Sequence, residues 1–380
     1  MPRKKYDTLI LMPYLPLDGY FKFDNLIVWS YKKKKDDFIK DIDLKNHLDK
    51  LVACYQFFKG GVIQNPSIIS VSKVNFSNPK PISISKIEVL KNILLLAGVL
   101  ENNAWSFITS DNLEVFYQRF NVGEEGIATR AGAIHTISAG GYKIGEVAFI
   151  KPSHINIPLH FRPKRSVIFA LENCMKNSSS NPAKSQIIQS LNLFFNAYRN
   201  SHEHSWQSRV LLLIIAFELL FGQSGRPHFR KNIQKYSNFD SKVNNPAIYN
   251  YPIVNWGKIT SREQLTLNQI WAEEFYKLRH KIIHGNTVYS DDLIFHDLNS
   301  LVKPREPHFY IAVNFYVVCL LNKLREIGFM NVPHFIINPD SKSSLGMKNI
   351  SGIKDELFKI ENIEIFDLLK TQFKNDYKQK

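Results

Sequence analysis

A change in hydrophobic period near residue 160 governs what this chain can fold into. Before it, short apolar or alternating runs at 8–12, 26–29, 68–71, 113–117 and 146–150 have the length and β-branched or aromatic content of strands. Turn-forming pairs separate them: Gly60-Gly61, Asn78-Pro79 and Gly140-Gly141. Two stretches of helical period, 43–58 and 86–100, make this part mixed α and β. The run Lys32-Lys33-Lys34-Lys35 followed by Asp36-Asp37 is expected to be a solvated loop or hairpin. After Pro158 the apolar residues recur at three and four positions, and helices are expected at 165–176, 184–198, 206–221, 262–284 and 309–327. Between them, 222–260 is rich in Asn, Pro and Gly and is expected to be one long loop. The fold class is therefore α+β. A mixed α/β domain over 1–160 precedes an all-α bundle over 161–335 and a helical tail over 336–380.

Charge narrows the partners. The 380 residues carry 49 Lys and Arg against 34 Asp and Glu, a formal +15, which suits a polyanion through phosphate attraction and counterion release. Residues 161–260 hold 13 basic side chains against Glu172, Glu203, Glu218 and Asp240, a local +9. Within them Arg226, Arg230, Lys231 and Lys235 cluster with Phe229 and Tyr236, a mixture that suits single-stranded RNA, where phosphates are neutralised and unstacked bases need a flat partner. An ordinary basic loop has the same composition. Cys54, Cys174 and Cys319 are far apart and lack C-x-x-C spacing, so they are expected to be reduced core thiols of a cytoplasmic protein. Pro13, Pro16 and Asp18 break the first apolar run, and Glu218 interrupts the longest one, so neither a signal peptide nor a membrane anchor is expected.

The helix that ends at His284 has legible termini. Ser261-Arg262-Glu263-Gln264 fits a capping box at its start, and Gly285 fits the left-handed position just past its end. Leu267, Ile270, Trp271, Phe275, Leu278 and Ile282 form its inward stripe, which leaves Tyr276, Arg279, His280 and His284 off that stripe. His280 and His284 stack one turn apart, while Arg279 lies roughly 140° around the helix from His284. Arginine and histidine reach one phosphate only if the long side chain bends back or a second copy of the helix contributes.

Such residues have a definite use. A histidine titrating near neutrality takes the proton of a ribose 2′-hydroxyl or gives one to a leaving 5′-oxygen, and an arginine holds the phosphate as charge develops. That chemistry needs no metal and no cofactor. Two histidines at i and i+4 are also a zinc pair, but Lys281 stands where H-E-x-x-H has its glutamate and no third ligand lies at a recognisable spacing. Arginine five before histidine recurs at Arg130 to His135 and Arg199 to His204, in strand territory and at a polar break; only Arg279 lies at the end of a long amphipathic helix followed by glycine.

Arg279-His280-Lys281-Ile282-Ile283-His284 resembles the signature of the HEPN (higher eukaryotes and prokaryotes nucleotide-binding) superfamily: Arg, a polar residue, a few more residues, then His. The apolar helix from Leu211 that ends Glu218-Leu219-Leu220-Phe221-Gly222 is similar to the helix preceding the motif helix in the Apea-like branch. The resemblance covers roughly residues 160–330. It implies a metal-independent endoribonuclease that acts as a homodimer with two motifs meeting, leaving 2′,3′-cyclic phosphate and 5′-hydroxyl ends. Arg279, His284 and His280 would then be catalytic, with Glu218 as a supporting carboxylate that holds Arg279, holds His284 or pairs with a structural cation. Many relatives are bacterial toxins or antiphage effectors, so a regulatory protein or a phage-derived trigger is an expected partner, with the first domain sensing or restraining. In the branch paired with nucleotidyltransferase antitoxins a modifiable tyrosine stands two positions after the histidine; here that position is Asn286. The competing reading is an inactive scaffold that holds nucleotide or RNA, or assembles with a partner protein.

Overall fold

The short apolar runs of the first part pair edge to edge because each buries its side chains on a common core. The computed structural model describes residues 7–39, 42–57, 61, 63, 65–71, 82–101, 117–123, 126–129, 134–135, 142–143, 149–150, 163–176, 182–198, 205–237, 248–255, 258–295 and 306–329. The chain is an α+β protein that divides into two compact units, Met1–Glu172 and Asn173–Lys380. The tail over 336–380 lies outside the described residues, as do Arg130, Arg199 and His204.

In the first unit β1 (Asp7–Met12), β2 (Tyr20–Phe23), β3 (Leu26–Ser30), β5 (Ser67–Ser70), β6 (Gln118–Gly123), β7 (Gly126–Thr129), β8 (Ile134–His135) and β9 (Tyr142–Lys143) form one sheet in the order β2-β3-β5-β1-β6-β7-β8-β9. All its pairings are antiparallel except β8 with β9. A separate parallel pair joins β4 (Tyr55–Gln56) to β10 (Phe149–Ile150). The sequence places strands at 113–117 and 146–150; positions 113–116 and 146–148 lie outside the described residues. Leu9, Leu11, Trp29, Ile68 and Phe120 of the sheet bury against Leu44, Leu48 and Leu51 of α2 (Ile42–Ala53). The lysine run departs from the expected loop: it is the helix α1 (Tyr31–Phe38). Tyr31 and Phe38, two turns apart, are buried, and Lys34–Asp37 and Lys35–Asp49 ion pairs at 3.0 and 2.9 Å relieve the like charges between them. The other helix of this part is α3 (Ile84–Glu101).

The first unit extends beyond the change of period because α4 (Arg165–Lys176) is tied to it. Lys164 N–H donates to the Ala97 carbonyl at 2.9 Å, and Asp24 N–H donates to Glu172 at 2.6 Å.

The second unit packs α5 (Pro182–Tyr198), α6 (Trp206–Phe221), α7 (Arg226–Ser237), α8 (Leu267–Ile283) and α9 (His308–Glu326) around stacked aromatics. Tyr316 lies on Phe194 with centroids 4.3 Å apart, and Phe315 on Trp271 at 4.5 Å, with Phe217 and Phe229 filling the space between helices. Ser190 on α5 donates to or accepts from Tyr316 at 2.7 Å, so the core hydroxyls satisfy one another. Cys174 and Cys319 are buried and outside any disulfide, as is Cys54 of the first unit; burial pushes Cys174 up to about 12. No single helix among the described residues is long and apolar enough to cross a membrane.

Two expectations for this unit are corrected. It is not all-helical, since β11 (Ile248–Asn255) and β12 (Lys258–Thr266) form an antiparallel hairpin, and β13 (Ile294–Phe295) pairs with β14 (Glu306–Pro307). The segment 222–260 is likewise not one loop, because Phe229, Ile233 and Tyr236 give α7 a buried stripe. The motif helix starts at Leu267, not 262: Thr266 accepts from Gln269 N–H at 3.4 Å and Gln269 reaches back to Thr266 N–H at 3.0 Å, so the capping box sits five residues later than Ser261 suggests. Ser261 to Gln264 belong to β12, whose polar exposed face mimics a helix start. The end is as expected, with Gly285 at φ +68°.

Trp271 lies at the centre of this core, 0% exposed. Trp271→Ala is expected to destabilise the protein by about 3–5 kcal/mol through lost contacts and a residual cavity, measured as an earlier urea transition of the helical signal. A transition at the parental urea concentration would contradict this packing.

Candidate functional site

The site grows from one carboxylate on an apolar helix. Glu218 is the sole charged residue between Val210 and Phe221, and its side chain is 12% exposed. A carboxylate so placed must be answered by donors or positive charge. Tyr276 O–H donates to Glu218 Oε1 at 2.7 Å, and Gly225 N–H lies 3.3 Å from the same oxygen and 3.1 Å from the Tyr276 hydroxyl. Burial, then the bond to Glu218, pushes the Tyr276 phenol up to about 12, so it remains a donor at neutral pH. Glu218 Oε2 faces Arg279 Nη2 at 3.8 Å, and the guanidinium lies over the Tyr276 ring, 5.1 Å from its centroid. The supporting carboxylate thus belongs to Arg279. Tyr276, expected off the buried stripe, is 8% exposed and is the hinge of this arrangement.

Arg279 is held by charge and ring contact, while its side-chain N–H groups form no hydrogen bond among the described residues. Its donors are open to an acceptor arriving from solvent.

His280 and His284 follow on the exposed end of α8. Their rings lie 4.1 Å apart between centroids, inclined at 51°. Partial desolvation, then the neighbouring charges of His284, Arg226 and Arg279, hold the His280 pKa below its ordinary value. His280 thus lies in the field of both arginines, which holds it toward its neutral form. Because the unfolded chain binds that proton more readily, acidification through the ordinary histidine range acts against the fold.

The four basic residues expected to hold RNA separate into different roles. Arg226 and Arg230 both face Glu273, at 3.3 and 3.6 Å, with Lys277 at 3.8 Å. Glu273 is 1% exposed and neither oxygen receives a hydrogen bond, so three cations balance it by charge alone. Arg230 also pairs with Glu263 of β12 at 2.7 Å. Lys235 pairs with Glu326 of α9, which also accepts from Tyr236 at 2.5 Å and Lys323 at 2.8 Å. Lys231 is exposed. Phe229 and Tyr236, the expected stacking partners, are 1% and 5% exposed and belong to the core.

Sequence reasoning missed Tyr276, Gly225 and Glu273. The signals were present in part: Glu273 and Lys277 have the i,i+4 ion-pair spacing, and Gly225 directly precedes a basic cluster. Among the described residues no three His, Cys, Asp or Glu side chains gather to hold a metal ion. The fold and site define a two-unit α+β protein with an arginine and a histidine pair at the exposed end of a core helix. No family model, curated protein or solved structure matches the chain.

In a proton NMR titration His280 is expected to have its midpoint below that of histidine in an unfolded chain, and His284→Ala is expected to raise it. A midpoint that stays put in the variant would contradict the charge coupling between the rings.

Proposed function

We propose that this protein is a metal-independent endoribonuclease of HEPN type, acting on RNA in the cytosol as a homodimer. The observation that carries the reading is Arg279, fixed between Glu218 and Tyr276 with its donors open, next in the chain to the adjoining rings of His280 and His284. General acid–base cleavage of RNA needs one group to take a proton and a second to give one, and His280, held toward its neutral form, suits the first role.

In this reading His280, kept neutral beside Arg226 and Arg279, takes the 2′-hydroxyl proton. The 2′-oxygen forms its bond to phosphorus and the bond to the 5′-oxygen breaks, with His284 giving the leaving oxygen its proton. Arg279 holds the non-bridging oxygens as their charge grows. The products are a 2′,3′-cyclic phosphate and a 5′-hydroxyl. The pairing with a second copy rests on the resemblance of the motif to the HEPN superfamily. The first unit would sense a trigger or restrain the nuclease, in the manner of a toxin or antiphage effector.

Purified protein incubated with total RNA in EDTA is expected to cut and to leave 5′-hydroxyl ends, and His284→Ala is expected to leave the RNA intact. Equal cutting by parent and variant would overturn the reading; intact RNA with both, in the presence of RNA binding, would make the protein a scaffold.

A further inference from the structure

The aromatic side chains expected to stack bases are buried, yet an exposed one stands next to the motif. Tyr289 is 68% exposed, more than any other large apolar side chain among the described residues. Its ring packs against no other ring among the described residues.

Its backbone, in contrast, is fixed to the motif helix. Asp292, in the short helix Ser290–Leu293, accepts from Lys281 Nζ at 2.5 Å through Oδ1 and from Tyr289 N–H at 3.0 Å through Oδ2. Lys281 lies between His280 and His284. One carboxylate therefore joins the residue that carries the ring to the residue between the two histidines. A ring left in solvent on a held backbone is available to stack on a base.

We propose that Tyr289 is a base-stacking platform for the nucleotide next to the scissile phosphate, and that it restricts the substrate to single-stranded RNA. This rests on the RNA-cleaving reading of the same site. A flat phenol needs the face of a base that is not already stacked on its neighbours, a condition met in single strands, loops and ends and not within an A-form helix. Because every base has such a face, the platform adds affinity with little sequence preference. Lys281 and Asp292 are positioning residues: they place the ring and do not touch the base.

The test uses the full chain and a uniformly 2′-O-methylated single-stranded oligonucleotide, which lacks the attacking hydroxyl and so reports binding apart from cleavage. Fluorescence anisotropy compares the parent with Tyr289→Ala, Tyr289→Phe and His284→Ala. Tyr289→Ala is expected to bind about tenfold more weakly, the loss of one base–aromatic stack, with Tyr289→Phe at the parental value. His284→Ala is expected to keep parental binding within about threefold while losing cleavage. The same oligonucleotide annealed to its complement is expected to bind parent and Tyr289→Ala alike. Equal binding of the single strand by parent and Tyr289→Ala overturns the platform and leaves the nuclease reading to the cleavage assay, as does failure of the parent to bind the single strand. If Tyr289→Ala changes the sedimenting mass and not the binding, the ring belongs to a contact between copies and the proposal fails.

Discussion

Glu218 is the constraint on which the site depends. A carboxylate withdrawn from water on an apolar helix has to be met by donors, and here they come from two other elements, Tyr276 of the motif helix and Gly225 at the start of α7. Satisfying one charge therefore fixes three helices relative to one another. The remaining oxygen faces Arg279 without a hydrogen bond, so the arginine is located by field and by the Tyr276 ring, and its donors are not consumed.

A second buried carboxylate repeats the theme one turn earlier on α8. Glu273 gathers Arg226, Arg230 and Lys277 at 3.3 to 3.8 Å. Arg226 and Arg230, two of the thirteen basic residues of 161–260, thereby dock α7 against α8, and Arg226 also places positive charge near His280. A +15 chain attracts a polyanion at long range.

Much of this was legible in the sequence, and the failures have physical reasons. The change of period, α4 and α6 at their observed bounds, and Gly285 as the helix terminator follow from local rules of spacing and conformation. The β11–β12 hairpin was hidden because Pro252 and the polar residues of 258–264 obscure the two-residue alternation of Tyr251 and Ile253. The lysine run was misjudged because its carboxylate partners Asp18 and Asp49 are distant in sequence. At the site, the motif residues stood out by context, at the end of a long amphipathic helix followed by glycine, whereas the roles of Tyr276 and Glu273 depend on α7 lying across them. No pattern within one helix carries that information.

The central proposal is that His280 and His284 act as base and acid beside Arg279 without a metal. Its most direct measure is the single-turnover cleavage rate of a single-stranded oligoribonucleotide as a function of pH, in EDTA. The account predicts a rate that falls on acidification, with a midpoint below that of an ordinary histidine, as His280 takes up a proton. A rate that climbs steadily into alkaline solution, or that vanishes with the chelator, would contradict it.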